Sequence, residues 1–251
     1  MNSCLPLQNK TILITRPEAL AGPLLQRIKE AGGIAQHYPV IRISNIEETA
    51  TLLSIINNLS TFDIAIFISP TAVQKTLEKI NPLPKHLVLA VIGRSTESML
   101  KKQGYQAQII PDDFNSESLL QQPSLQQDKI VDKSIVIFRG VGGRDLLSNT
   151  LTQRGAKVTY AEIYRREKNP LTSLNHEQLK SLDALTVTSN EGLQNLFDLT
   201  DDKSCLTKLP IIVPGHRAQQ LAESLGFSHI IQASNATDDA CLESLIKHFS
   251  V

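Results

Sequence analysis

Short apolar runs alternate along the chain with stretches whose apolar residues recur at helical spacing. Residues 11–15 (TILIT) precede PEALAGPLLQRIKEAGG, where Leu20, Leu24, Leu25 and Ile28 fall on one helical face before a Gly-Gly stop. Residues 34–43 (IAQHYPVIRI) read as extended. DIAIFIS (63–69) leads into a helical PTAVQKTLEKI, and LVLAVIG (87–93) leads into RSTESMLKKQGY. Residues 134–138, 156–164, 184–189 and 209–213 repeat the rhythm. Strands followed by helices of roughly 10–15 residues predict parallel sheets built from right-handed βαβ units.

The two halves also resemble each other. Arg16 matches Arg139 at an offset of 123 residues, while Gly33 and Tyr38 match Gly155 and Tyr160 at 122. Ser69 matches Ser189 at 120, and Gly104 matches Gly226 at 122. Any α/β protein repeats run, turn and helix, so coincidence is the alternative. Five landmarks in one order at nearly constant spacing favour duplication, and with it two similar domains. The segments 39–43 and 161–166 are extended, partly charged and equivalent in the repeat. If both are crossings, residues 40–166 form one continuous α/β domain, and residues 1–39 join 167–251 in the other. A cut near residue 125, in QQPSLQQD, is the other arrangement.

Composition narrows the function. The chain is 41% hydrophobic and 20% charged, with 25 basic and 25 acidic residues. A net charge of zero argues against a nucleic-acid-coating protein. Cys4, Cys205 and Cys241 are scattered, form no C-x-x-C pair, and suggest a reducing compartment. MNSCLPLQNK lacks an apolar leader and no apolar run approaches 18 residues, so a cytoplasmic protein without a membrane partner is expected. The six histidines stand alone, without H-E-x-x-H or a cysteine partner, and no metal is expected. No G-x-S-x-G elbow marks a nucleophile.

What remains is a set of polar turns, each at the carboxyl end of a predicted strand and the start of a helix. They are Thr15-Arg16-Pro17, Ser69-Pro70-Thr71, Gly93-Arg94-Ser95-Thr96, Arg139–Arg144, Ser189-Asn190-Glu191 and Gly215-His216-Arg217. Ligands of open parallel sheets bind at those ends, and helix starts offer unpaired N–H groups to anions. Ser, Thr and Asn at such places are also ordinary helix caps. The FRGVGGRDLL turn carries Gly140, Gly142 and Gly143, but Asp145 stands where a dinucleotide loop needs its third glycine. Tyr164, in EIYRRE at the second crossing, is a catalytic candidate, with a packed aromatic as the bland alternative. Arg165 and Arg166 read as solvated charge. Tyr38 and Tyr160 occupy equivalent positions and read as packing residues.

Taken in order, ITRP, FRGVGGRDLL, AKVTYAEIYRR, VTSNEGLQNLF and RAQQLAESLGF resemble uroporphyrinogen-III synthase, over essentially the full length. No single motif is diagnostic; the combination carries the resemblance, above all R-G-x-G-G-R-[DE] followed by a Y-x-R segment. The resemblance implies two flavodoxin-like α/β domains with parallel sheets, joined by a two-stranded connection, with the crossings near 39–43 and 161–166. It implies a monomer without cofactor that cyclises hydroxymethylbilane to uroporphyrinogen III, inverting ring D with loss of water. It leaves room for transient contact with hydroxymethylbilane synthase.

By the same resemblance Tyr164 assists departure of the hydroxyl. Thr15, Arg16, Ser69, Thr71, Gly93, Arg94, Ser95, Thr96, Arg139, Gly140, Gly142, Gly143, Arg144, Ser189, Asn190, Gly215, His216 and Arg217 are candidates for holding the substrate's carboxylates. Two departures stand out. Residues 213–218 read V-P-G-H-R-A where many members read V-I-G-x-x-T, and Asn190-Glu191 replaces a common Ser-Pro. Glu191 is expected to point away from the acid arms. The main rival is a non-catalytic two-domain module that closes on a small anion; a nucleotide-dependent oxidoreductase is disfavoured by Asp145.

Overall fold

A computed structural model describes residues 5–113, 115–170 and 173–250; Cys4 lies outside them. In chain order the elements begin with β1 (Thr11–Ile14), α1 (Glu18–Glu30), β2 (Ile34–His37) and β3 (Ile41–Asn45). Then come α2 (Ala50–Asn57), β4 (Ile64–Phe67), α3 (Pro70–Leu77), β5 (Val88–Val91) and α4 (Arg94–Lys102). Next are α5 (Ser116–Gln121), α6 (Gln127–Ile130), β6 (Ser134–Gly140), α7 (Leu146–Gln153) and β7 (Lys157–Lys168). The last third holds α8 (His176–Lys180), β8 (Ala184–Thr186), α9 (Asn190–Leu199) and α10 (Lys203–Leu206). It ends with β9 (Ile211–Val213), α11 (His216–Ser224), β10 (Ile230–Gln232) and α12 (Asp238–Phe249).

The chain divides into two compact units, residues 1–43 with 167–251, and residues 44–166. The first unit holds a sheet of order β10-β9-β8-β1-β2, every neighbouring pair parallel. Read by chain order within the unit, that is 2-1-3-4-5, the flavodoxin-like order. Its central strands β1, β8 and β9 are buried on both faces, as in a sheet covered by helices on both sides. Leu13, Leu185, Ile211 and Val213 enter one core cluster, and Ile12, Ile14, Ala184 and Ile212 enter the other.

The second sheet has the order β3-β7-β6-β4-β5. Counted from β6, the strands β7-β6-β4-β5 also run 2-1-3-4, and an isolated parallel bridge from Ala90 to Ile109 stands where the fifth strand would be. The repeats are therefore shared between the units: β6 and β7 answer to β1 and β2, β4 and β5 to β8 and β9. Tyr38-Pro39-Val40 separates β2 from β3, whereas β7 runs unbroken for 12 residues through the equivalent span. Pro39 has no N–H to give a ladder, which ends β2.

The duplication reaches individual hydrogen bonds. In one unit Asp183 accepts from the Thr11 N–H at 2.8 Å and from Lys10 Nζ at 3.1 Å. In the other, Asp63 accepts from the Ser134 N–H at 2.8 Å and from Lys133 Nζ at 2.9 Å. Lys133 and that N–H hold the Asp63 carboxyl below the usual aspartate range. The pairing of glycines needs one correction. Gly32 and Gly155 share the left-handed conformation, φ 89° and 91°, and both follow a helix end. The true partner of Gly155 is Gly32, and Gly33 answers to Ala156; by the same register Tyr160, beside Ile137, answers to His37, beside Ile14, and not to Tyr38. Gly104 and Gly226 do match, at φ 81° and 88°.

Candidate active site

In the second unit, the turns that follow β4 and β6 meet the middle of β7. Phe67 and Phe138 stack at 5.0 Å between ring centroids beneath them, both fully buried. A register shift between Arg139 and Gly140 sets Gly140 opposite Tyr164. A methyl group on Gly140 would lie 2.8 Å from a Tyr164 ring carbon. Gly140 is thus the space that the tyrosine ring fills.

Tyr164 is 1% exposed. Its hydroxyl lies 3.0 Å from Ser69 Oγ, and Arg166 Nη2 donates to it over a long 3.5 Å. The Arg166 guanidinium also stands 5.9 Å from the centre of the ring. Ser69 caps α3, accepting from the Ala72 N–H at 3.0 Å. One hydroxyl therefore serves both the helix start and the tyrosine. Arg166, read from sequence as solvated charge, is exposed but keeps its head at the phenol; only the spacing Y-x-R hinted at this.

The glycine loop is closed on itself. Arg139 is 4% exposed, and its guanidinium donates to the carbonyls of Gly140 (3.3 Å) and Gly142 and to Asp145 (3.3 Å). It lies 4.2 Å from the centre of the Tyr160 ring, whose hydroxyl donates to the same Asp145 at 3.2 Å. Burial, first, pushes the Tyr160 phenol above its usual range. Glu162 accepts from the Gly142 N–H at 3.2 Å. Asp145 and Glu162 thus occupy donors that were expected to grip substrate acids. Arg139 clamps the loop, and Gly142 and Gly143 are required by φ values of 79° and 109°. Arg144 is exposed and pairs with Glu117 at 3.2 Å.

Two of the turns start their helix on a glycine. Gly93 is the N-cap of α4 and Gly215 that of α11, and neither helix start is closed by a side-chain cap. Position for position they are equivalent. Arg94 and Ser95 are exposed beside the first, His216 and Arg217 beside the second, while Thr71 and Thr96 are buried. Gly215 has φ 149°, so a side chain there would strain the backbone although the space is open.

The first unit places its own candidates differently. Thr15 is buried and donates to the Thr186 carbonyl at 2.7 Å, while Thr186 donates to the Leu13 carbonyl at 3.1 Å. Thr15 therefore ties β1 to β8 and offers nothing outward. Arg16 Nη2 donates to the Ala236 carbonyl at 2.6 Å and lies 2.9 Å from Asp238 Oδ1. The carboxylate contact is one of charge, because the aligned N–H points to the carbonyl. Ser189 caps α9 through the Gly192 N–H at 3.0 Å. Asn190 and Glu191 are exposed.

The histidine reading also changes. His176 Nδ1 lies 2.6 Å from Asp202, with Cys205 beside both. A cysteine 29 residues further along the chain is the partner that local spacing could not show.

Doubly wound sheets with donor-bearing turns at their carboxyl ends are the build of α/β proteins that hold small ligands there. A family model described as uroporphyrinogen-III synthase HemD matches residues 23–243. The chain is 32% identical to the uroporphyrinogen-III synthase of Escherichia coli K12, over 94% of this chain and 99% of that one. It is 33% identical to the Salmonella typhimurium LT2 protein of the same name, with the same coverage. The fold matches solved uroporphyrinogen III synthases of Helicobacter pylori (TM-score 0.63, 15% identity) and, as a mutant, of Thermus thermophilus (0.61, 17%). Each covers 95% of this chain and 99% of the solved one. The chain belongs to the uroporphyrinogen-III synthase family.

Proposed function

We propose that the protein cyclises hydroxymethylbilane to uroporphyrinogen III, with the Tyr164–Ser69 hydroxyl pair handling the proton. The observation that carries this reading is the near-complete match, in both directions, to the Escherichia coli synthase. The substrate must lose a hydroxyl as water, which leaves an azafulvene stabilised by its pyrrole nitrogen. Ring D is then attacked at the wrong carbon first, and the spirocyclic pyrrolenine reopens and closes inverted. One proton has to reach the departing oxygen, and a positioned acid accelerates that step.

Tyr164 supplies it through its hydroxyl, with Ser69 Oγ as the neighbouring donor and acceptor. Arg166, its Nη2 3.5 Å from the phenol oxygen, stands where it offsets negative charge left there. Gly140 and the self-clamped Arg139 loop fix the ring that carries this hydroxyl. Each unit offers its own candidates for holding carboxylate arms: Gly93-Arg94-Ser95 and Arg144 in the second, Ser189, Asn190 and Gly215-His216-Arg217 in the first. Backbone donors at helix starts suit this task in a protein without net charge. Holding ring D is the larger service, because orientation selects which carbon reacts. The same reading takes the protein as a cytoplasmic monomer that receives its unstable bilane from hydroxymethylbilane synthase. Among the described residues no helix is long and apolar enough to cross a membrane.

The test is incubation with freshly generated hydroxymethylbilane, oxidation of the product and chromatographic separation of isomers. Uncatalysed closure gives type I. An excess of type III is expected, and type I alone would overturn the proposal.

A further inference from the structure

The first unit carries a cluster of side chains for which the proposed reaction has no use. His176 opens α8, Asp202 caps α10, and Cys205 sits in the first turn of α10. Their ligand atoms all lie within 4.8 Å of one another. Imidazole, carboxylate and thiol are the three side-chain types that bind zinc, at bond lengths of about 2.0–2.3 Å, which puts neighbouring ligand atoms roughly 3.5 Å apart. A small rotation of the exposed His176 and the half-buried Asp202 and Cys205 side chains spans the difference.

The cluster is also held in place. Asp202 Oδ1 accepts from Ser204 Oγ at 2.7 Å and from the Cys205 N–H at 2.9 Å, which aims Oδ2 at His176. A carboxylate only accepts, so Nδ1 of His176 carries the proton between them. The start of α8 is fixed by a capping box: Asn175 accepts from the Gln178 N–H at 2.9 Å, and Gln178 accepts from the Asn175 N–H at 3.0 Å. A parallel bridge from Leu174 to Thr200 leads the two segments side by side.

We propose that His176, Asp202 and Cys205 form a binding site for a zinc-class divalent cation, with water as the fourth ligand, that clasps α8 to α10. Binding releases the Cys205 thiol proton and moves the imidazole proton from Nδ1 to Nε2. Carboxylate and thiolate then neutralise the ion, and no redox step is involved. Two occupied helix starts locked together would stabilise the first unit against unfolding, because an ion bound only by the folded state shifts the equilibrium toward it.

The experiment uses the full chain carrying Cys4→Ser, with Co2+ as the spectroscopic probe. Burial pushes the Cys241 thiol up to about 12, so it does not compete as a thiolate. A thiolate-to-cobalt absorption in the near ultraviolet should saturate at one equivalent and disappear on adding Zn2+. Cys205→Ser should abolish it. His176→Gln, which leaves the Asp202 cap intact, should weaken Co2+ binding by about tenfold or more, since even lost supporting contacts cost that much at metal sites. Zn2+ should raise the unfolding midpoint of the parent and not of Cys205→Ser. A folded parent without the thiolate band overturns the proposal. So does a band that survives unchanged in either variant.

Discussion

The turns at Ser69 and Ser189 are built alike and used differently. Both serines leave a buried strand with the same backbone, φ −161° with ψ 159° at Ser69 and 158° at Ser189, and both cap the helix that follows. Their cap bonds are each 3.0 Å. Only Ser69 meets a second hydroxyl, that of Tyr164. The repeat position of Tyr164 in the first half is Ile41, a buried aliphatic side chain with no hydroxyl to offer. Where Gly140 makes room for the tyrosine, the first half has Pro17. Duplication thus supplied two identical caps, and two changes elsewhere turned one of them into a coupled pair. Helix capping explains the serine in both units; it does not explain the tyrosine.

The largest effect should come from Tyr164→Phe. Loss of an acid that contributes on the order of 100-fold or more should lower kcat for type III formation by that much, with KM little changed. Wild-type turnover with an unchanged isomer yield would remove Tyr164 from the reaction. Next is Gly140→Ala, whose methyl group must displace the ring; it should cost about 1–3 kcal/mol in urea unfolding and lower kcat as well. A fully stable Gly140→Ala would mean that the ring moves freely.

The two serine caps come third. Ser189→Ala should cost about 1 kcal/mol as a lost cap, and Ser69→Ala about twice that, because the Tyr164 hydroxyl loses its partner too. Equal costs would show the Ser69–Tyr164 bond to be idle. The smallest effect concerns acid. The Asp63 carboxyl is held low in the fold, so its contribution is present above the ordinary value of about 3.9 and fades as pH falls through its lowered one. Asp63→Asn should flatten the fall in unfolding midpoint across that acid range. An unchanged slope would show that Lys133 and the Ser134 N–H do not matter to stability.

The sheets were legible because each strand carries its own signal. Ile12, Ile14 and their neighbours are apolar on both faces, and the helices between them keep one apolar side. The landmarks of the repeat are legible for the same reason, apart from Gly33 and Tyr38, because only the backbone shows which glycine is left-handed and which residue is in register. The site was read less well. Its residue types were found at strand ends, but what each does depends on partners distant in sequence. Arg139 looked like a free cation until Asp145, Glu162 and Tyr160 were seen to enclose it. Thr15 looked like an outward donor until the Thr186 carbonyl was seen to accept its proton. His176 looked solitary because Cys205 approaches it through a separate helix. Local pattern specifies elements well, whereas the state of a polar group is set by the fold around it.

The central claim is that Tyr164 and Ser69 act as one unit, and a double-mutant cycle on kcat tests it most directly. Tyr164→Phe, Ser69→Ala and the double variant are assayed with hydroxymethylbilane, type III product being quantified by chromatography. Residues that act together are not additive, so the double variant should be about as slow as Tyr164→Phe alone. If the double variant instead loses the product of the two separate factors, the hydroxyls work independently and the account is wrong.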